Sequence, residues 1–215
     1  MMPVARDFFA RPAVEVAPDL LGAVIEHQTA AGLVAVRLTE VEAYAGESDP
    51  ASHAYRGKTR RTAVMFGPPG HAYVYFTYGM HFCVNLVCLP AGTAAAVLLR
   101  AGAVVEGEAL ARARRATSRS GADLASGPAR LCRALGIDSS LNGADVCAAD
   151  SPLRVRGVSS CRNTMARSAE MRIATGPRVG VTGAAEVPWR FWVEGAPSVS
   201  AYRPHARRQR KLVTR

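Results

Sequence analysis

The sequence predicts an α+β fold, a single domain with a curved, largely antiparallel β-sheet flanked by helices. Valine-rich and aromatic runs with imperfect two-residue alternation recur between residues 22 and 100 and again after residue 178. Helical segments are inserted between groups of strands instead of following every strand, which argues against a βαβ arrangement. The 215 residues, 49% hydrophobic and 20% charged, suffice for one core and contain no composition break or fixed-period repeat.

The first element expected is a short helix over 12–21, running into a strand over Gly22–Glu26. Leu33–Tyr44 follows as a long strand. Residues 46–69, with Arg56-Gly57-Lys58-Thr59-Arg60-Arg61, make a long loop of the kind that is functional or disordered. Pro68-Pro69-Gly70 is a turn. Strands over 72–78 and 82–89 form a hairpin around Gly79, and 94–100 is a third strand. Residues 106–116 have helical composition. Ser126-Gly127-Pro128 offers an N-cap and a first-turn proline to a second helix, which Gly136 ends. Strands at 178–182 and 190–194 complete the list.

Composition narrows the function. No apolar run approaches the roughly 20 residues of a membrane span, and the N-terminus lacks a secretory signal pattern, so a cytoplasmic protein without a membrane partner is expected. The five cysteines are irregularly spaced. Cys83 and Cys88 would diverge on a strand, and no Cys-x2-Cys pair suggests zinc, so free thiols and no metal site are expected. The formal charge is +10, and six of those charges lie between Arg203 and Arg215 without an acid. This gives a body over 1–203 and a basic tail over 204–215. Such a tail suits a polyanion through counterion release, and equally well reads as a solvated tail.

The chemically loaded residues cluster between 39 and 100. Glu42 stands at a strand end with Glu40 on the same face, and position alone does not say which would be a general base. Tyr73 and Tyr75 share a face, while Tyr78 falls at the turn beside Gly79, where an aromatic ring is exposed and suited to stacking. Asn85 and Arg100 interrupt apolar strands. A buried amide needs partners or costs about 1–3 kcal/mol, and a buried arginine needs an anion, for which Glu42 is a candidate. His53, taken alone, reads as structural or exposed.

Together these residues resemble the alkyladenine (3-methyladenine/methylpurine) DNA glycosylases that lack a helix-hairpin-helix. The resemblance is carried by Glu42-Ala43-Tyr44, His53, Met65-Phe66, Tyr73-Val74-Tyr75-x2-Tyr78-Gly79-Met80-x-Phe82-Cys83-x-Asn85 and Val97-Leu98-Leu99-Arg100-Ala101. Ser126-Gly127-Pro128, Arg178-Val179-Gly180-Val181 and Pro197-x-Val199-Ser200 extend it over about residues 7–203. The shorter loop between His53 and Met65, its Arg60-Arg61 pair and His81 depart from the family pattern.

The resemblance implies hydrolysis of alkylated purines from damaged double-stranded DNA, by a monomer with no cofactor. Glu42 would activate water, with Arg100 and a main-chain carbonyl near Val199 around it. Tyr44, His53 and Tyr75 would wall the base pocket, and Asn85 would crowd the amino group of normal guanine. Tyr78 would fill the gap in the stack, with Met80, Arg60, Arg61, Arg207 and Arg208 also on the DNA. Two other classes remain, a silent nucleic-acid-binding module and a small-molecule hydrolase. Glu42 paired with Arg100 favours the enzyme over the binder, and the tail and Tyr78 favour DNA over a small substrate.

Overall fold

The computed structural model describes residues 4–157 and 171–203. Cys161 and the tail with Arg207 and Arg208 lie outside these residues. The apolar face of helix α1 (Ala13–Leu20) buries Val16, Ala17 and Leu20. Strands β1 (Val24–Thr29) and β2 (Gly32–Tyr44) form a hairpin in which Thr29 pairs with Gly32. After the loop come β3 (Ala72–Thr77), β4 (His81–Cys88) and β5 (Ala95–Glu106). Helices α2 (Glu108–Arg114) and α3 (Pro128–Leu135) precede the short strands β6 (Leu153–Arg156), β7 (Ile173–Gly176) and β8 (Arg190–Val193).

The eight strands of the described residues join one antiparallel, curled sheet in the order β3-β4-β5-β2-β1-β6, with β8 on β2 and β7 on β8. The expected α+β class with an antiparallel sheet is what the chain forms. β2 is long enough to hold β5 along one side and two partners along the other. Residues 24–29 of β1 cover its first half, and β8 pairs with Glu40, Val41 and Glu42.

Alternation assigns the two faces. Val74, Val84, Leu86, Val97 and Leu99 point into the core, against α1 and α3. Tyr73, Tyr75, Cys83, Asn85 and Leu98 point the other way, toward a cavity. Three irregularities interrupt the β2–β5 register; the first, at Ala35 and Val36, skips Val105, and the other two compensate each other and leave Thr39 and Arg100 without an opposite residue. In β2 the core positions are therefore Val36 and Leu38 before the irregularity but Val41 and Ala43 after it. A one-residue slip exchanges faces, and here it turns Glu40, Glu42 and Tyr44 toward the side that carries the tyrosines.

Several boundaries differ from expectation. β1 lies two to three residues later than 22–26, and β5 continues to Glu106, so α2 starts at Glu108 after the left-handed Gly107. The N-cap of α3 is Gly127, with no side-chain cap, and left-handed Gly136 ends the helix as expected. The strand expected at 178–182 is not formed. Arg178 is drawn inward by Asp49, Val179 and Gly180 turn, and the sheet instead takes Ile173–Gly176. Among the described residues, no helix is long and apolar enough to cross a membrane.

Candidate active site

The face of the sheet opposite α1 and α3 opens into a cavity of about 480 Å³. β2 contributes Glu42 and Tyr44, β3 Tyr73 and Tyr75, β4 Cys83 and Asn85, and β5 Leu98 and Arg100. The loop after β2 supplies Ser52 and His53, and the turn after β7 supplies the wall from Val179 to Thr182.

Glu42 is fully buried and held by two hydrogen-bond donors and an ion pair. Its Oε1 accepts from the Val179 N–H at 2.7 Å and faces Arg100 Nη1 at 3.2 Å, and its Oε2 accepts from the Tyr44 hydroxyl at 2.8 Å. Burial, then the charge of Glu42, pushes the Tyr44 phenol well above its ordinary value, so it remains a donor. Burial opposes the charge on Arg100, but Glu42 and Glu40 overcome it and raise its pKa. The nearer partner of Arg100 is Glu40, at 2.6 Å from Nε. The geometry thus separates the two carboxylates: both are fully buried, but only Glu42 lines the cavity.

The aromatic wall is mutually braced. The His53 ring meets Tyr75 edge-on with centroids 4.5 Å apart, and Tyr75 stacks on Tyr73 at 5.6 Å. His53 Nδ1 lies 3.1 Å from the Tyr73 hydroxyl. Burial and then the Arg61 charge lower the His53 pKa below the ordinary imidazole value, so the ring is neutral at neutral pH. Burial raises the pKa values of Tyr75 and Cys83, keeping both protonated. Asn85 ties two strands, with Nδ2 donating to the Tyr73 carbonyl at 3.2 Å, while also lining the cavity. The tie and the pocket position coexist.

At the rim stands Tyr78, 86% exposed, in the turn between β3 and β4. Its φ is 51° and that of Gly79 is 68°, while the Met80 N–H donates to the Thr77 carbonyl. Two successive positive φ values mark a type I′ turn, whose first position favours Asn, Asp or Gly. A tyrosine there stores about 1–3 kcal/mol of strain. Met80, 69% exposed, flanks it. The Arg61 guanidinium lies 5.8 Å from the Tyr75 ring centroid, and Arg60 is exposed beside it.

The site brings together Glu42, Arg100, Tyr44, His53, Tyr75 and Asn85, with Tyr78 at the opening. Val199 is not among the cavity-lining residues, and the backbone beside Glu42 is that of Val179. In the sequence, Arg178 figures only within the Arg178-Val179-Gly180-Val181 match and an expected strand, with no role given to it. It pairs with Asp49 at 2.5 and 2.9 Å, both side chains fully buried, and its guanidinium lies 4.7 Å from the Tyr44 ring.

Comparison with known proteins accords with this geometry. A family model described as methylpurine-DNA glycosylase matches residues 7–197. A Streptomyces avermitilis protein, provisionally named a 3-methyladenine DNA glycosylase, is 54% identical over 97% of this chain and 96% of its own length. Proteins with the same provisional name from Leifsonia xyli and Methanocella arvoryzae are 52% and 47% identical, over 93% and 94% of this chain and 92% and 98% of theirs. The chain belongs to the methylpurine-DNA glycosylase family.

Proposed function

We propose that the protein is a monofunctional DNA glycosylase that flips alkylated purines, 3-methyladenine and 7-methylguanine among them, out of duplex DNA and hydrolyses the N-glycosidic bond, initiating base-excision repair in the cytoplasm. The observation that carries this reading is Glu42, a carboxylate held by two hydrogen-bond donors and the Arg100 ion pair at a cavity walled by Tyr44, His53 and Tyr75. Chemistry on a base within a duplex requires its extrusion. The exposed, strained Tyr78 fills the vacated stack, with Met80 beside it. The rings take the extruded base between them, and cation–π attraction favours the positive charge of an alkylated purine. Asn85 crowds the amino group of normal guanine.

In the reaction, a water oxygen bonds to the deoxyribose C1′ and passes a proton to Glu42. The bonding pair of the glycosidic bond leaves with the purine nitrogen, neutralising the cationic base. The carboxylate also stabilises the oxocarbenium-like charge that develops at C1′. Among the described residues, none that lines the cavity is a lysine, and Cys83 is kept protonated by burial, which favours water over a covalent amine or thiolate nucleophile. Arg60 and Arg61, with Arg207 and Arg208 of the tail, contact phosphates without reading sequence.

Incubation with methylated duplex DNA tests the function. Release of free methylpurine with the sugar–phosphate strand left intact is the expected result. Binding of lesion duplex without release would make the protein a silent binding module.

A further inference from the structure

Four charged side chains form one buried set beside the cavity. Glu40 and Glu42 are 0% exposed, Arg100 5% and Arg190 4%. Glu40 takes four donors although it does not line the cavity. Its Oε1 accepts from Arg100 Nε at 2.6 Å, Arg190 Nε at 2.8 Å and the Ser200 hydroxyl at 2.9 Å, and its Oε2 accepts from the Ser200 N–H at 2.7 Å. Arg190 Nη2 donates to the Ser200 carbonyl, and Arg100 Nη2 to the Ser200 hydroxyl. With Nε and Nη2 of Arg100 committed to these partners, Nη1 faces Glu42.

Burying a lone charge is costly, and the cost falls when opposite charges are packed with satisfied hydrogen bonds. The formal charges of the four groups sum to zero. Without Glu40, Glu42 would be the set's only carboxylate against two buried guanidinium charges, Arg100 in contact with it and Arg190 behind, a setting that weakens a base. We propose that Glu40 is a positioning residue for catalysis. It orients Arg100 so that Nη1 faces Glu42 and, with Arg190, balances the buried charge so that Glu42 can accept a proton. This rests on the reading of Glu42 as the base.

Among the described residues, the surroundings leave few other charges to consider. Tyr44 on the same strand, Tyr75 on β3 and Cys83 on β4 face Glu42, and all three remain protonated. Arg178, behind Tyr44, is paired with Asp49. Around Arg190 stand the rings of Trp192 and Tyr202. The balance therefore lies with the four groups.

Single-turnover excision from methylated duplex DNA, followed across pH, provides the test. Glu40→Gln should lose about 10²-fold in rate, the scale of a small misplacement of catalytic groups, while lesion-duplex affinity changes little. Its acidic limb should move to lower pH by about one unit, the order by which a neighbouring charge shifts a titration. Arg190→Gln removes a cation and should move that limb to higher pH. The double variant retains one anion and one cation and should return the limb toward its wild-type position. A merely structural role would displace the two single variants alike or not at all, and that outcome overturns the proposal. If Glu40→Gln fails to melt cooperatively, Arg190→Gln decides, and an unmoved limb there overturns it. Glu42→Gln, measured alongside, separates the two readings: retained turnover in that variant would sink the base assignment itself.

Discussion

The hydroxyl of Tyr44 donates to Oε2 of Glu42 at 2.8 Å, from two residues farther along the same strand. The contact exists because the irregular register at Thr39 and Arg100 turns both side chains to the cavity face. Burial and the neighbouring carboxylate keep the phenol protonated. Tyr44→Phe should preserve the ring and its contact with Arg178 while freeing one oxygen of Glu42. A hydrogen bond to a charged group contributes about 1.5–3 kcal/mol, so single-turnover excision should fall by about 10-fold or more. Lesion-duplex affinity should change little. The wild-type rate should also show no alkaline limb owed to Tyr44 below pH 10, its ordinary value. A Phe variant that excises at the wild-type rate would remove Tyr44 from the site's electrostatics.

Tyr78 combines near-complete exposure with a left-handed backbone. Replacing it with glycine relieves strain of about 1–3 kcal/mol, so Tyr78→Gly should melt no lower than wild type. Binding to a lesion duplex should nevertheless weaken by about 10-fold, in line with roughly 1–3 kcal/mol per aromatic–base stack. Unchanged duplex affinity, measured by fluorescence anisotropy, would remove the ring from the DNA interface.

Asp49 and Arg178 join the loop after β2 to the cavity wall through a fully buried ion pair. Asp49→Ala leaves the guanidinium uncompensated and should destabilise the protein by about 3–5 kcal/mol. The double variant Asp49→Ala/Arg178→Met should recover much of that loss. Chemical denaturation provides the check, and a single variant as stable as wild type would show that water reaches the pair.

The sequence carries the alternation that separates core from cavity. Val74, Val84 and Val97 read as one face, and Tyr73, Tyr75 and Asn85 as the other. The broken alternation across Leu38-Thr39-Glu40-Val41 is the trace of the register slip, but its consequence depends on β5, some sixty residues away. Position alone left the choice between Glu40 and Glu42 open for the same reason, and only the family resemblance pointed to Glu42. Both share a face, and only the positions of Arg190 and Ser200 show that Glu40 is enclosed by donors. Residues 178–182 have the valine alternation of a strand, yet the partner of Arg178 lies 129 residues earlier in the chain. Likewise, the Val179 N–H meets Glu42 because a turn after β7 folds back onto β2.

The central claim is that Glu42 accepts the proton of the attacking water. Glutamine at this position preserves shape, and its amide oxygen can still accept from the Val179 N–H while its amide nitrogen donates to the Tyr44 hydroxyl oxygen, but it cannot take that proton. Single-turnover release of methylpurine by Glu42→Gln, set beside its lesion-duplex affinity, is the most direct measurement. General base catalysis contributes about 10²–10⁴-fold, so release should fall at least that far while affinity stays near wild type. Release at a rate near wild type would contradict the account.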